Sequence, residues 1–229
     1  MKQARARCVQ MEILGHGRTR VWLESPIRPA MGKFALLALP QLDAAAQPMR
    51  RVVLPSGLTE NGFRFDLLPG DALRALLLPG NPVDLVGPLG KALPVHPADS
   101  TRLLVASEDP GPLLPLAVGA TAVLLLGRPY PLGNLPPEIE VRVGHLPTLV
   151  KAYARWASLT VVYAAPHRPA TLLAALRAAG FDGQRVYVYT DVVMPCGVGA
   201  CRACWVPTRD GAALACESGP WLTLSELGA

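Results

Sequence analysis

Short apolar runs broken by turn residues fill the first hundred positions. ARCVQMEIL at 6–14, RTRVWLE at 18–24, KFALLAL at 33–39, MRRVVL at 49–54 and GFRFDLL at 62–68 each have the length and aliphatic content of a strand. PGNPVDLVGPLGKAL at 79–93 reads as a last strand running into a Gly-rich loop. Even spacing of short strands with Gly and Pro between them predicts an antiparallel β-barrel or sandwich over residues 1–98. From residue 99 to 190 the pattern changes. Buried-strand patterns at 101–106, 121–127, 138–143, 159–165 and 185–190 alternate with helix-like stretches at 113–119, 146–157 and 169–180. The last of these opens on Pro169 and closes on Gly180, as a helix does. Strand and helix in alternation predict an α/β domain built on a parallel sheet.

After Thr190 the periodicity vanishes, and residues 191–229 are too short and irregular to build a core of their own. A bound inorganic group can supply the missing organisation. Four of the five cysteines, Cys196, Cys201, Cys204 and Cys216, fall within this segment, while Cys8 stands alone and reads as a small buried hydrophobe. Crowded cysteines in a chain without a secretory signal favour a metal site over a disulfide framework. The spacing is Cys-x4-Cys-x2-Cys-x11-Cys, and the plant-type [2Fe–2S] core has the same Cys-x4-Cys-x2-Cys start with a distant fourth ligand. Gly197 and Gly199 let the backbone wrap closely around such a cluster. A zinc ribbon is the alternative, since zinc also takes four thiolates, although usually from two separated Cys-x2–4-Cys pairs.

Composition narrows the function. The net charge of +5 comes from arginines scattered along the chain without interleaved aromatics, which does not describe a nucleic-acid surface. No apolar run approaches the roughly 18 residues of a membrane span. The N-terminus, MKQARARCVQMEIL, lacks the apolar stretch of a secretory signal, so a cytoplasmic location is expected. His16, His96, His145 and His167 lie far apart and form no ligand-spaced pair. Apolar residues near the cysteines, Val198, Trp205 and Trp221, are expected to be buried against a partner protein.

This order of elements, with MPCGVGACRACWV at 194–206 and CESGPW at 216–221, resembles the electron transfer subunits of dihydroorotate dehydrogenase, within the ferredoxin reductase-like superfamily. GPLGKAL at 87–93 is similar to that family's GPLG loop, and MGKFALLAL at 31–39 takes the place of its PGQF strand. The resemblance implies FAD between barrel and α/β domain, with Arg51, Gly87 and Gly90 as flavin-site candidates. It also implies a hetero-oligomer with a catalytic FMN subunit, and NAD as terminal acceptor. Three departures stand out. Val52, Val53 and Leu54 replace the polar and aromatic groups of the family's flavin stretch, within RRVVLPSG at 50–57. Glu108 and Asp109, in ASEDPGPLLPL at 106–116, replace a Gly-rich turn, and Ala164, Ala165 and Pro166 replace a Cys-Gly-Pro turn. These changes weigh against NAD more than against FAD, and they leave a flavin-free iron–sulfur adaptor as a second expectation.

Overall fold

The computed structural model describes residues 2–39, 50–93, 102–118, 120–153, 155–163, 169–181 and 183–227. The expected boundary near residue 98, the Ala164–Ala165–Pro166 turn, His96 and His167 lie outside them. The strands of the first half are β1 (Lys2–Ile13), β2 (Thr19–Glu24), β3 (Phe34–Ala38), β4 (Arg51–Val53), β5 (Gly57–Thr59), β6 (Gly62–Leu67) and β7 (Pro82–Leu89), with the short helix α1 (Leu73–Leu76) before β7. They form one curled antiparallel sheet in the order β4-β3-β7-β1-β2-β6-β5. Its edges, β4 and β5, are not hydrogen-bonded to each other, so the expected barrel is a half-barrel. Alternation along the strands sends Val21, Leu23, Phe63, Phe65, Val83 and Leu85 to its inner core.

The second half contributes β8 (Arg102–Ser107), α2 (Leu114–Ala117), β9 (Thr121–Leu126), β10 (Ile139–Val143), α3 (Leu146–Tyr153), β11 (Leu159–Tyr163), α4 (Pro169–Ala178) and β12 (Val186–Tyr189). The sheet order is β10-β9-β8-β11-β12, all parallel, as the strand and helix alternation predicts. One face packs on α3 and α4 through Leu104, Leu125, Val150, Val162, Leu172 and Leu176. The opposite face shares a core with the outside of the half-barrel, joining Leu103, Val105, Leu124 and Val161 to Phe34, Leu36 and Leu89.

The terminal segment is more ordered than its aperiodic sequence suggests. β13 (Trp205–Thr208) and β14 (Gly211–Leu214) make a hairpin, and β15 (Trp221–Thr223) joins the parallel sheet antiparallel to β12. Its core is therefore borrowed from both neighbours. Cys204, Val206, Ala215, Cys216 and Trp221 all belong to the shared core between half-barrel and sheet. The Trp221 indole N–H donates to the Gly32 carbonyl at 2.8 Å, and the Lys91 N–H donates to the Gly219 carbonyl at 2.7 Å.

Candidate metal centre and the adjoining crevice

The four sequence-predicted cysteines come together at the junction of half-barrel, sheet and terminal hairpin. Cys204 and Cys216 are buried and their sulfurs lie 3.2 Å apart, while Cys201 is exposed and interacts with the half-buried Cys196. Among the described residues no three His, Cys, Asp or Glu side chains are gathered as the ligands of one metal ion. The thiols stand instead in two pairs, 196 with 201 and 204 with 216. Two pairs suit two irons, each taking two thiolates, and thereby fit a [2Fe–2S] group.

The loop is built to hold thiolates. The Val198 and Cys201 N–H groups both point at the Cys196 sulfur at 3.5 Å, and the Gly199 N–H donates to the Cys216 sulfur at 3.2 Å. Those backbone donors bring the Cys196 thiol down to about 7. Burial and the neighbouring Cys204 thiol push Cys216 up to about 12, so its ionisation calls for a positive charge beside it, as iron would supply. The donors converge because Gly197 and Gly199 take φ of 70° and 74°. A Cβ on Gly197 would meet Leu89 at 2.6 Å and Leu36 at 2.7 Å, and one on Gly199 would collide with the Glu217 carboxylate. Gly199→Ala is expected to cost about 1–3 kcal/mol, read by urea unfolding, and to lower the iron content.

Trp221 corrects the docking expectation. It is 6% exposed and packed inside the chain, against Tyr189 at 5.2 Å, so it has no face left for a partner. Val198 and Trp205, at 41% and 59%, remain exposed beside the cysteines, and Val193 at 65% joins them.

Next to the cysteine loop a crevice of about 440 Å³ opens between half-barrel and sheet. Val52, Val53, Leu54, Phe65, Tyr163 and Tyr189 give it apolar and aromatic walls, and Met194 and Pro195 lead from it directly into Cys196. Arg51, a flavin-site candidate, is among the residues that line it, and it is paired with Asp71 at 2.8 Å. Gly87 and Gly90 do not line it. A Cβ on Gly87 would face Ala35 and Ile27, and one on Gly90 would press on Phe34 and Pro220 at 2.8 Å. Gly90 therefore sets how closely the terminal segment approaches the half-barrel.

Sequence reading missed the polar network that closes the deeper side of the crevice. Arg20 pairs with Asp66 through two bonds of 2.8 and 2.9 Å, and Ser56 and Tyr130 also donate to Asp66. Burial alone would raise the Asp66 carboxyl, but the bonds from Arg20 and Tyr130 outweigh it and hold the acid below its ordinary range. Arg18 meets Asp109 at 2.7 Å, donates to the Glu108 carbonyl at 3.1 Å and lies 4.7 Å over the Tyr130 ring. Burial nevertheless lifts Asp109 to about 6, the Arg18 charge offsetting only part of the cost. An acid with a raised folded-state pKa favours the fold when protonated, so this contribution is lost as pH climbs through 6. Stability is expected to fall by about 1 kcal/mol between pH 5 and 7 on this account, and Asp109→Asn should flatten that slope in urea titrations.

Strand order and a four-thiol terminal loop together define an electron-transfer module of the ferredoxin reductase-like kind. Solved structures agree on the fold. A NADH-dependent reduced ferredoxin-NADP oxidoreductase studied for flavin-based electron bifurcation superposes with a TM-score of 0.76 at 19% identity, over 98% of this chain and 90% of that one. The ferredoxin reductase in carbazole 1,9a-dioxygenase gives 0.67 at 15% identity, over 82% and 68%. Residues 191–228 match the family model of the iron-sulfur cluster binding domain of dihydroorotate dehydrogenase B. The electron transfer subunit of dihydroorotate dehydrogenase B (NAD(+)) from Geobacillus kaustophilus is 34% identical over 182 residues, covering 69% of this chain and 70% of that protein. Its counterpart from Bacillus caldolyticus is 33% identical over the same shares. The chain belongs to the family of dihydroorotate dehydrogenase B electron transfer subunits.

Proposed function

We propose that Cys196, Cys201, Cys204 and Cys216 hold a [2Fe–2S] cluster through which this subunit relays electrons for a catalytic FMN subunit that oxidises dihydroorotate in pyrimidine biosynthesis. The paired thiols under backbone N–H donors carry this reading. When bound, the cluster supplies one-electron transfer, and a flavin supplies conversion between one- and two-electron chemistry. The chain's own residues do the rest. Gly197 and Gly199 shape the loop, Leu36 and Leu89 seat it on the half-barrel, and Trp221 pins it. The apolar and aromatic walls of the neighbouring crevice suit an isoalloxazine ring, and Arg50 and Arg51 are the cations of its lining, set among Asp66, Asp71, Asp109 and Asp191. A flavin-free relay is the second reading, favoured by Asp71 already neutralising Arg51.

Exposed Val193, Val198 and Trp205 give the cysteine loop an apolar rim for the catalytic subunit, in a hetero-oligomer. No helix among the described residues is long and apolar enough to cross a membrane, in keeping with work in the cytoplasm. The test mixes the purified chain with its catalytic subunit and adds dihydroorotate anaerobically. Bleaching of the cluster's visible absorption is expected. Val198→Ser with Trp205→Ser should weaken assembly by about tenfold or more while leaving iron content intact. No bleaching with a fully loaded chain would sink the relay, and flavin released by acid precipitation separates the two readings.

A further inference from the structure

The curated relatives carry NAD(+) in their names, and an open parallel sheet takes a dinucleotide at a fixed place. That place lies outside the carboxyl ends of the strands where the order reverses, here between β8 and β11. A pyrophosphate there needs a turn that lets the backbone come close, followed by a helix whose N-terminus faces the anion. This chain provides neither. The turn after β8 is Ser107-Glu108-Asp109-Pro110-Gly111, with Ser107, Glu108 and Asp109 all buried. It runs into one 3₁₀ turn at Gly111–Leu113 and the four-residue α2.

The position is also filled. Asp109 holds its carboxylate in an ion pair 2.7 Å from Arg18 and receives the Gly111 N–H at 3.4 Å, a cation and a donor of the kind that would otherwise greet a phosphate. The turn cannot draw back to make room, because a Cβ on Gly111 would already press on the Asp66 carboxylate and the Tyr130 hydroxyl at 2.7 Å. A cavity of about 470 Å³ remains in front, walled by Glu108, Asp109 and Asp191 against Arg18 and Arg128, with His16 at its edge. Arg128 lies 3.7 Å from Glu108 and Arg18 faces Asp109, so both arginines of the lining already have a carboxylate beside them and the three carboxylates outnumber them. A dianionic pyrophosphate meets repulsion there. Keeping Asp109 ionised in so buried a place costs stability, which a neutral residue would avoid.

We propose that the Asp109 carboxylate, held by Arg18, is an internal substitute for nucleotide phosphate that closes the α/β sheet of this subunit to nicotinamide dinucleotides. The inference concerns Arg18 and the β8 turn, and it stands whether or not the cluster relays electrons from dihydroorotate.

The test is calorimetric titration of the iron-loaded full chain with NADH, and separately with inorganic pyrophosphate, at neutral pH. No saturable binding is expected from the wild type up to on the order of 1 mM of either probe. Asp109→Gly releases Arg18 and should bring pyrophosphate binding at least about tenfold tighter, a gain lost again when Arg18→Ala is added. Asp109→Asn, which preserves shape, serves as the folded control and should show a smaller gain in the same direction. Saturable NADH binding by the wild type in the micromolar range would overturn the proposal, and so would a folded Asp109→Gly chain that binds pyrophosphate no better. If neither variant folds, the wild-type titration decides alone. Iron content, measured on every sample, keeps failure here distinct from failure of the cluster assignment.

Discussion

Cys204→Ser is expected to purify with iron reduced from about two atoms per chain to about none, and with its visible absorption gone. Cys204 is 1% exposed, its sulfur lies 3.2 Å from that of Cys216, and its carbonyl accepts the Ala215 N–H at 2.9 Å, so it sits at the centre of the terminal segment. A Ser hydroxyl ligates iron poorly and leaves a buried polar group without its partner. The loss should spread beyond the metal. Cys204 and Cys216 share one core with Val206, Ala215 and Trp221 of the terminal segment and Phe34 and Leu36 of the half-barrel. Limited proteolysis should then cut within 196–216 in the variant and spare the wild type. The exposed Cys201 offers a contrast, because Cys201→Ser removes a ligand from the solvent side and should lose iron with less damage to the fold.

Asp66→Ala should lower unfolding free energy by about 3–5 kcal/mol, the usual penalty for leaving one partner of a buried pair uncompensated. The Asp66 side chain is fully buried and takes bonds from Arg20, Ser56 and Tyr130, tying the half-barrel to the segment that follows β9. Urea unfolding at neutral pH measures the effect. A loss under about 1 kcal/mol would mean that water replaces the carboxylate and that the network is not what joins the two halves.

Why the sequence revealed the cysteines but not this network is a matter of distance along the chain. Metal ligation constrains spacing locally, so Cys-x4-Cys-x2-Cys and its glycines are readable within a single short loop. Arg20 and Asp66 are 46 positions apart. Period-two alternation does place both on the outer face of the half-barrel, opposite Val21 and Phe65, and β2 and β6 pair them directly across the ladder. Nothing in that pattern announces that a second sheet covers the outer face there and brings Tyr130 and Asp109 against it. Trp221 shows the same limit. Its neighbours read as loop, yet β15 completes a sheet whose other strands lie far upstream, and the side chain is turned inward. Glu108 and Asp109 are legible as carboxylates in a turn where glycine is expected. Glu108 meets Arg128 of its own half, but the Asp109 partner, Arg18, comes from the other half of the molecule, so the sequence shows that charge without its neutralisation.

Gly87 and Gly90 have local packing reasons of their own. A motif match suggests a flavin contact, and the structure adds a packing reason for Gly90, the close approach of Phe34 and Pro220 to its Cα. Arg51 alone of the three stands at the crevice.

Four thiols holding two bridged irons would leave a signature that can be counted. Iron and acid-labile sulfide should be counted on the anaerobically purified chain, and its electron paramagnetic resonance spectrum recorded before and after dithionite. About two irons and two sulfides per chain, with a spectrum that is silent when oxidised and gains a spin-one-half signal on reduction, is the predicted result. Zinc in place of iron, or iron without sulfide, would contradict it.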